Sequence, residues 1–301
     1  MTSSACGPEP LGELRPRATA DGSFSLWSEA FGEGFHCAAG ALGEARATFI
    51  EPAGLERLPP GATLQVVEVA VGTGTNTAAL IEAAADRRLR LAWCGLECDR
   101  RPLALALADA RFRAQWRPGT LAALEHHTTS GLLLGDARQR LADLAPLAGR
   151  VDLVLLDAFS PRRCPQLWTQ EFLAALARLL APRGRLLTYS AAAAVRRSLE
   201  LAGLQIATIG PSAALAPGGR PARWSGGTAA SPSPLPHAGP LAPLSLQERE
   251  HLATSAAEPY RDPTGRAEAA AITAARASAQ AAGAAGSTSA WRRRWRLDHG
   301  G

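Results

Sequence analysis

The chain has 301 residues, 47% hydrophobic and 20% charged, so it can bury a globular core. It contains no run of 18 apolar residues and no apolar signal stretch near its start, which favours a cytoplasmic protein without a membrane span. All 32 basic residues are arginines and the net charge is +5, so lysine chemistry is excluded. The five cysteines lack the spacing of metal ligands, so no metal site is expected.

Composition divides the chain into five segments. Residues 1–20 are rich in proline and charge and are expected to be a flexible N-terminus. Residues 21–60 carry several aromatic rings and one predicted helix, Ala38–Phe49. Residues 61–230 form the predicted core, residues 231–245 a proline-rich linker, and residues 246–301 a helical and basic tail.

Within the core, short apolar strands alternate with helices, a pattern typical of βαβ units. The predicted strands are Leu64–Val71, Leu91–Glu97, Gly131–Leu134, Val151–Asp157, Arg185–Tyr189, Leu204–Ile209 and a weaker one near Trp224–Ala230. The predicted helices are Thr75–Ala85, Arg101–Gln115, Trp168–Leu180 and Ala191–Leu201. The fold class is therefore α/β, with a mostly parallel seven-stranded sheet and helices on both faces.

The first core strand runs into a glycine turn, VEVAVGTGTN, that precedes a helix. Gly72 and Gly74 would let a ligand approach the backbone and the helix N-terminus. A phosphate-binding P-loop is excluded, because no Gly-Lys-Ser/Thr follows. Glu68 and the glycines fit the acid-x-Gly-x-Gly-x-Gly pattern of S-adenosylmethionine loops, with Ala70 in place of the first glycine.

The next three strands each end near a carboxylate, in GLECD, LLLGDAR and LLDAF. Ligands bind where the carboxyl ends of parallel strands meet. There Glu97 would accept hydrogen bonds from the ribose hydroxyls, Asp136 would reach the adenine, and Asp157 would lie near the reacting methyl group. A lone acid at such a position is more often a helix N-cap. The predicted S-adenosylmethionine site comprises Glu68, Gly72, Gly74, Asn76, Glu97, Asp136 and Ala137.

These motifs, with DLVLLDAFSPRRCPQLW, TYSAAAAVRR and the upstream TADGSFSLWSEAFGEGFHC, resemble the methyltransferase module of MnmC over about residues 19–230. The resemblance implies a Rossmann-like class I methyltransferase fold with S-adenosylmethionine as the methyl donor. It implies a tRNA acceptor, the amine of 5-aminomethyl-2-thiouridine at the wobble position. No second dinucleotide fingerprint follows residue 210, so the chain resembles the stand-alone form, and an upstream modification enzyme would supply the amine.

The resemblance also implies roles for residues around the strand that ends in LLDAF. Asp157 is the catalytic candidate, because a carboxylate can orient the amine and accept its proton. Arginines can contact tRNA phosphates, and aromatic rings can stack on a splayed base, although rings more often serve cores. The predicted tRNA side comprises Trp27, Glu29, Phe31, Phe159, Pro161, Arg162, Arg163 and Arg196; Glu33 is a further candidate for binding the amine.

Two other functions stay open on the same fold. An aminopropyltransferase or small-molecule N-methyltransferase would also place an aspartate after the fourth strand. The first loop lacks the GGGDG-type pattern of spermidine-synthase-like enzymes, which counts against that alternative. A non-catalytic RNA-binding protein is disfavoured by the intact carboxylates at the strand ends.

Overall fold

A computed structural model of the chain describes residues 10–210 and 226–297. Its strands are β1 (Leu14–Arg17), β2 (Ser25–Ser28), β3 (Glu33–Gly34), β4 (Thr63–Val69), β5 (Arg90–Glu97), β6 (Leu132–Leu134), β7 (Val151–Leu156), β8 (Leu180–Thr188), β9 (Gln205–Ile209), β10 (Gly227–Ser231) and β11 (Leu241–Ala242). Its α-helices are α1 (Ala41–Ala45), α2 (Thr75–Asp86), α3 (Arg101–Ala108), α4 (Ala110–Ala114), α5 (Pro118–Ser130), α6 (Ala137–Arg140), α7 (Gln170–Leu179), α8 (Ala193–Leu201), α9 (Leu246–Leu252), α10 (Ala269–Ala282) and α11 (Thr288–Arg294).

The large sheet has the strand order β11-β9-β10-β8-β7-β4-β5-β6. Strands β6, β5, β4, β7 and β8 pair in parallel, whereas β10 is antiparallel to both β8 and β9. The predicted α/β class with a mostly parallel sheet is confirmed. The order reverses between β4 and β7, which is the topological switch point where such sheets bind ligands. The described residues add an eighth strand, β11, to the seven that were predicted.

Both faces of the sheet are buried, as the apolar strands predict. Along β7, Val154 and Leu156 pack on one face with Trp168 and Phe172, while Leu153 and Leu155 pack on the other face. Side chains alternate across a strand, so each face receives every second residue. The helices then cover both apolar faces, which leaves the strand ends as the accessible edges.

The helix predicted over Arg101–Gln115 is interrupted. Asp109 has an extended backbone, and its carboxylate accepts a hydrogen bond from the backbone N–H of Arg111, so it ends α3 and caps α4. The 13-residue helix α5 was not predicted at all. The weaker strand predicted near Trp224–Ala230 begins outside the described residues and is observed as β10.

The segment before the core forms a second, three-stranded sheet. Strand β1 lies within the predicted flexible N-terminus and pairs antiparallel with β2, which pairs with β3. Phe24 and Leu26 pack with helix residues of the core, including Phe112. The small sheet is thereby held against the core, and residues 1–9 lie outside the described part of the chain.

The predicted linker and tail also pack against the large sheet. Residues 231–245 supply β11 and bury Leu235 and Leu241, so this stretch extends the sheet where a linker was predicted. Ser245 and Glu248 form a capping box at the start of α9. The Trp291 ring stacks on His251 at 4.1 Å, which fixes α11 to α9.

Arg196 was predicted to face tRNA, and this prediction is wrong. Its side chain is buried, pairs with Glu248 at 2.8 Å, and donates hydrogen bonds to Thr228 and to the backbone oxygen of Gly227. A buried charge needs such partners because its removal from water costs several kcal/mol. Arg196 therefore joins α8 to α9 and β10.

Glu68 was predicted to bind the cofactor, but its side chain lies beneath the glycine turn and does not line the cavity at the carboxyl edge of the sheet. It is fully buried, and its Oε2 accepts hydrogen bonds from Thr77 (2.7 Å) and Trp93 (2.8 Å). Its Oε1 has no hydrogen-bond partner. This carboxyl group ties β4 to α2 and β5.

No helix among the described residues is long and apolar enough to span a membrane.

We expect Glu68→Gln to stabilise the protein above neutral pH. Burial raises the pKa of Glu68 from 4.5 to about 7, so its contribution to stability is complete below pH 4.5 and is lost as the pH rises through about 7. Urea unfolding should show an advantage for the variant that grows between about pH 5 and 7 and levels off at about 3 kcal/mol. The exposed Glu125→Gln serves as the control, and a pH-independent difference would contradict the expectation.

Candidate functional site

A cavity of about 360 Å³ lies at the carboxyl edge of the large sheet, between the ends of its central strands and the small sheet. Ligand cavities in proteins typically have volumes of about 300–1,000 Å³. The small sheet and the segment after it supply one wall, and the strand ends supply the other. The lining residues that matter here are Arg17, Phe31, Glu33, Phe35, Glu44, Ala70, Gly72, Glu97, Asp157, Phe159 and Tyr189.

The glycine turn after β4 forms part of this wall. Gly72 and Gly74 have φ angles of 57° and 77°, and a Cβ on Gly72 would lie 3.1 Å from the Phe35 ring. Ala70 also has a positive φ of 62°, in the left-handed region that costs a non-glycine residue about 1–2 kcal/mol. This positive φ explains why the pattern has a glycine at this position, and the alanine adopts it here.

Glu97 joins the end of β5 to the glycine turn. Its Oε2 accepts a hydrogen bond from the backbone N–H of Gly72 (2.8 Å), and its Oε1 accepts from Cys98 (2.7 Å) and Asp99 (3.0 Å). Burial raises the pKa of Glu97, and the backbone donors oppose that rise. Oε1 therefore already accepts two hydrogen bonds, whereas Oε2 accepts one and keeps an acceptor position for a hydroxyl donor from the cavity.

Asp157 follows β7 and faces the cavity, as predicted. Asn76, which the sequence assigned to cofactor binding, lies at the start of α2 and donates from Nδ2 to Oδ2 of Asp157 at 2.7 Å. Burial raises the pKa of Asp157 well above 3.8, and the nearby carboxylates of Glu44 and Glu68 raise it further. A carboxylate with a raised pKa is a better proton acceptor than an ordinary aspartate.

Two further carboxylates enter the cavity from the N-terminal segment. Glu33 accepts hydrogen bonds from the backbone N–H and the hydroxyl of Ser160, which ties it to the loop after β7. Glu44 accepts from the backbone N–H of Cys37 at 2.8 Å, and burial raises the pKa of its carboxyl group. Sequence reasoning missed Glu44; its position as a lone acid in an otherwise apolar and small-residue helix was the available signal.

The charges of the cavity lining favour a cationic ligand. Four carboxyl groups line it, from Glu33, Glu44, Glu97 and Asp157, and Arg17 is the one arginine among the lining residues. None of these four carboxylates forms an ion pair with a described residue. Buried carboxylates without cations are costly, so a positively charged ligand would be stabilised here. The lining therefore fits a sulfonium group such as that of S-adenosylmethionine.

Aromatic rings form the mouth of the cavity. Phe31 stacks on Phe159 with ring centroids 4.5 Å apart, and Phe35 meets Phe159 edge to face at 5.2 Å. The guanidinium of Arg17 lies 5.6 Å from the Trp27 ring. The prediction placed Trp27, Phe31 and Phe159 on one substrate side, and the structure brings Phe31 and Phe159 into direct contact.

Several predicted site residues lie away from the cavity lining. Asp136 caps α6 and pairs with Arg138, which also pairs with Asp262. Ala137 is buried in the core, and Glu29 is exposed and 3.4 Å from Arg15. The capping role of Asp136 is the alternative that its position after a strand had left open.

The loop after β7 carries the remaining predicted residues. Pro161 is buried, whereas Arg162 and Arg163 are exposed. The guanidinium of Arg163 lies 3.7 Å from the position of a Cβ on Gly32, so it is beside the aromatic mouth. No group of three or more potential metal ligands occurs within residues 10–210 and 226–297.

Comparisons with known proteins agree with this geometry. Residues 107–213 match a family described as S-adenosyl-L-methionine-dependent methyltransferase. The chain is 33% identical over 202 residues to the "tRNA 5-methylaminomethyl-2-thiouridine biosynthesis bifunctional protein MnmC" of Azoarcus sp. strain BH72, covering 60% of this chain and 31% of that protein. The corresponding Pseudomonas aeruginosa protein is 33% identical over 255 residues, covering 72% and 37%. The chain thus spans about a third of the length of these relatives.

A solved structure is similar over most of the chain. The crystal structure of MnmC2 from Aquifex aeolicus matches with a TM-score of 0.73 and 26% identity, covering 90% of this chain and 85% of that one. The similarity extends beyond the sheet to the segments on either side of it, because it covers more than the core residues. The chain therefore has the class I methyltransferase fold and is similar to MnmC proteins over their methyltransferase region.

Proposed function

We propose that the protein transfers a methyl group from S-adenosylmethionine to the primary amine of 5-aminomethyl-2-thiouridine at the wobble position of tRNA. The observation that carries this proposal is the cavity at the switch point, whose lining contains four carboxyl groups and one arginine. Both the donor and the acceptor amine are cations at neutral pH, so such a lining suits both. The similarity to MnmC proteins supports tRNA as the acceptor.

The donor would be bound by Glu97 and by the backbone of the glycine turn. When bound, S-adenosylmethionine supplies a methyl group already activated by its sulfonium. Glu97 lines the cavity and would accept a hydrogen bond from a ribose hydroxyl, since its Oε2 keeps one acceptor position. The backbone of Ala70 and Gly72 would pack against the donor, because the turn brings it to the cavity wall.

Asp157 would hold the acceptor amine and accept its proton. A free alkylamine is mostly protonated near neutral pH, as the lysine pKa of about 10.4 illustrates, and only the neutral amine has a lone pair for attack. Asn76 fixes the Asp157 carboxylate, and the raised pKa makes it a better proton acceptor. Glu44 would help retain the proton, because a second carboxyl group nearby disfavours two negative charges.

The stacked rings at the cavity mouth would receive the uridine. Phe31 and Phe159 present an aromatic surface beside Asp157, and RNA-binding proteins commonly stack unpaired bases on such rings. The exposed Arg162 and Arg163 would contact the phosphates of the anticodon loop. An upstream modification enzyme would supply the aminomethyl group.

We expect Asp157→Asn to lose methyl transfer while keeping donor binding. Loss of the proton acceptor should slow transfer about 10²- to 10⁴-fold. The pKa of Asp157 is higher in the folded protein than in the unfolded chain. Ionisation of its carboxyl group therefore destabilises the folded protein as the pH rises above the pKa of the unfolded chain. The variant lacks this carboxyl group and should be at least as stable as wild type at about pH 8. Transfer is measured with labelled S-adenosylmethionine on aminomethylated tRNA, and donor binding by calorimetry.

The exposed Asp143→Asn is the control for that experiment. Wild-type turnover by Asp157→Asn would refute the role of Asp157. Transfer to polyamine precursors in preference to tRNA would instead favour an aminopropyltransferase or small-molecule methyltransferase. Failure of the wild-type protein to bind the donor would favour a non-catalytic RNA-binding protein.

We expect Arg163→Gln to weaken tRNA binding and reduce its salt dependence. Each phosphate contact that is lost lowers the slope of log affinity against log salt by about one. Binding to anticodon stem-loop RNA at several salt concentrations measures this slope. Arg87→Gln changes an equally exposed arginine at the opposite edge of the sheet and should keep the wild-type slope. An unchanged slope in Arg163→Gln would remove this residue from the tRNA surface.

A further inference from the structure

A second cavity, of about 590 Å³, lies at the amino edge of the large sheet. Arg57 precedes β4, and Arg185 pairs in register with Leu153 near the start of β7, so this cavity faces away from Asp157. Residues of the predicted linker form its outer wall. The charged residues of its lining are Glu51, Glu56, Arg57, Arg183 and Arg185, and Ser231 also lines it.

Arg185 is a buried cation without a carboxylate partner. Its side chain is 3% exposed, its Nη1 donates to the backbone oxygen of Pro52, and its Nε has no acceptor. No carboxylate of the described residues lies within 4.0 Å of its nitrogens. Buried guanidinium groups are normally paired, because desolvation of an unpaired charge costs several kcal/mol. An anion is therefore missing from its surroundings.

Arg57 and Arg183 line the same cavity as Arg185. Arg57 donates from Nε, Nη1 and Nη2 to the backbone oxygens of Gly54, Arg183 and Ala53, and neither Arg57 nor Arg183 forms an ion pair with a described residue. Gly54 has a φ of 67°, and a Cβ on it would collide with Nη1 of Arg185 and lie 2.7 Å from Nε of Arg57. A glycine is thus required for two guanidinium groups to approach the same turn.

The local charges keep this cluster positive. Burial and the neighbouring Arg57 together lower the pKa of Arg185 to about 10, so Arg185 remains protonated at neutral pH. Glu51 and Glu56 also line the cavity, but neither lies within ion-pair distance of the three arginines. The cavity lining thus has three arginines and two glutamates, and the buried Arg185 has no carboxylate of a described residue within ion-pair distance.

We propose that this cavity binds the phosphate group of a ligand through Arg57, Arg183 and Arg185. Guanidinium groups match phosphate oxygens with paired hydrogen bonds, and several together suit a multiply charged anion. The buried Ser231 also lines the cavity, and its hydroxyl can donate to a further oxygen. The volume leaves room for more than the phosphate itself, as in a nucleotide or an RNA backbone. This site does not depend on the methyl transfer proposed above.

Calorimetry with inorganic phosphate and with adenosine monophosphate tests the site directly. Arg183 is exposed and donates no side-chain hydrogen bond to a described residue, so Arg183→Gln should fold normally and bind either ligand at least about tenfold more weakly, the loss of one charge-assisted contact. Arg178→Gln, an exposed arginine on α7 outside the cavity, should bind as wild type does. Binding of S-adenosylmethionine should be unchanged in both variants.

Thermal unfolding of Arg185→Met gives a second measurement. Each protein is compared with and without phosphate, so the variant is informative even if it is less stable than wild type. Ligands that bind only the folded state raise its melting temperature. Phosphate should raise the melting temperature of wild type and not that of Arg185→Met. An equal rise in both proteins would overturn the proposal.

The source of the phosphate is decided by comparing ligands. If phosphate or the nucleotide binds and Arg183→Gln loses it, the site takes a free phosphate compound. If neither binds but Arg183→Gln weakens tRNA binding relative to Arg178→Gln, the site takes an RNA backbone phosphate. If neither small ligand binds and tRNA affinity is the same in both variants, no phosphate site exists here.

Discussion

The electrostatic cost of buried carboxyl groups is the constraint on which the candidate active site depends. Glu44, Glu97 and Asp157 all have pKa values raised by burial, and no described cation pairs with them. Backbone N–H groups and the Asn76 amide offset part of this cost, and the remainder would be offset by a cationic ligand. The same carboxyl groups that destabilise the folded site would therefore provide the attraction for the cationic ligand.

The N-terminal segment is as much a part of this site as the parallel sheet. It supplies Glu33 and Glu44, the rings of Phe31 and Phe35, and Arg17. The hydrogen bonds from Ser160 to Glu33 connect this segment to the loop that carries Phe159. A class I core alone would leave Asp157 at an open edge, so the small sheet converts that edge into an enclosed cavity.

The two edges of the large sheet carry opposite charge. Carboxylates gather at the carboxyl ends of the strands, whereas Arg57, Arg183 and Arg185 gather at the amino ends. In both places a buried charge lacks a partner of opposite sign among the described residues. At each edge, a buried charge without a partner favours a ligand of opposite charge, which is a cation at the carboxyl edge and a phosphate at the amino edge.

The sequence by itself determined the α/β class, the glycine turn and the placement of Glu97 and Asp157 at strand ends, because short apolar runs and turn chemistry are local properties. It did not distinguish ligand-facing acids from structural ones. Only the tertiary structure showed that Glu68 supports the turn from below, that Arg196 is buried against α9, and that Glu44 reaches the cavity. Whether a charged side chain meets a ligand, a cap or a buried partner depends on contacts between residues distant in the chain, which local patterns do not encode.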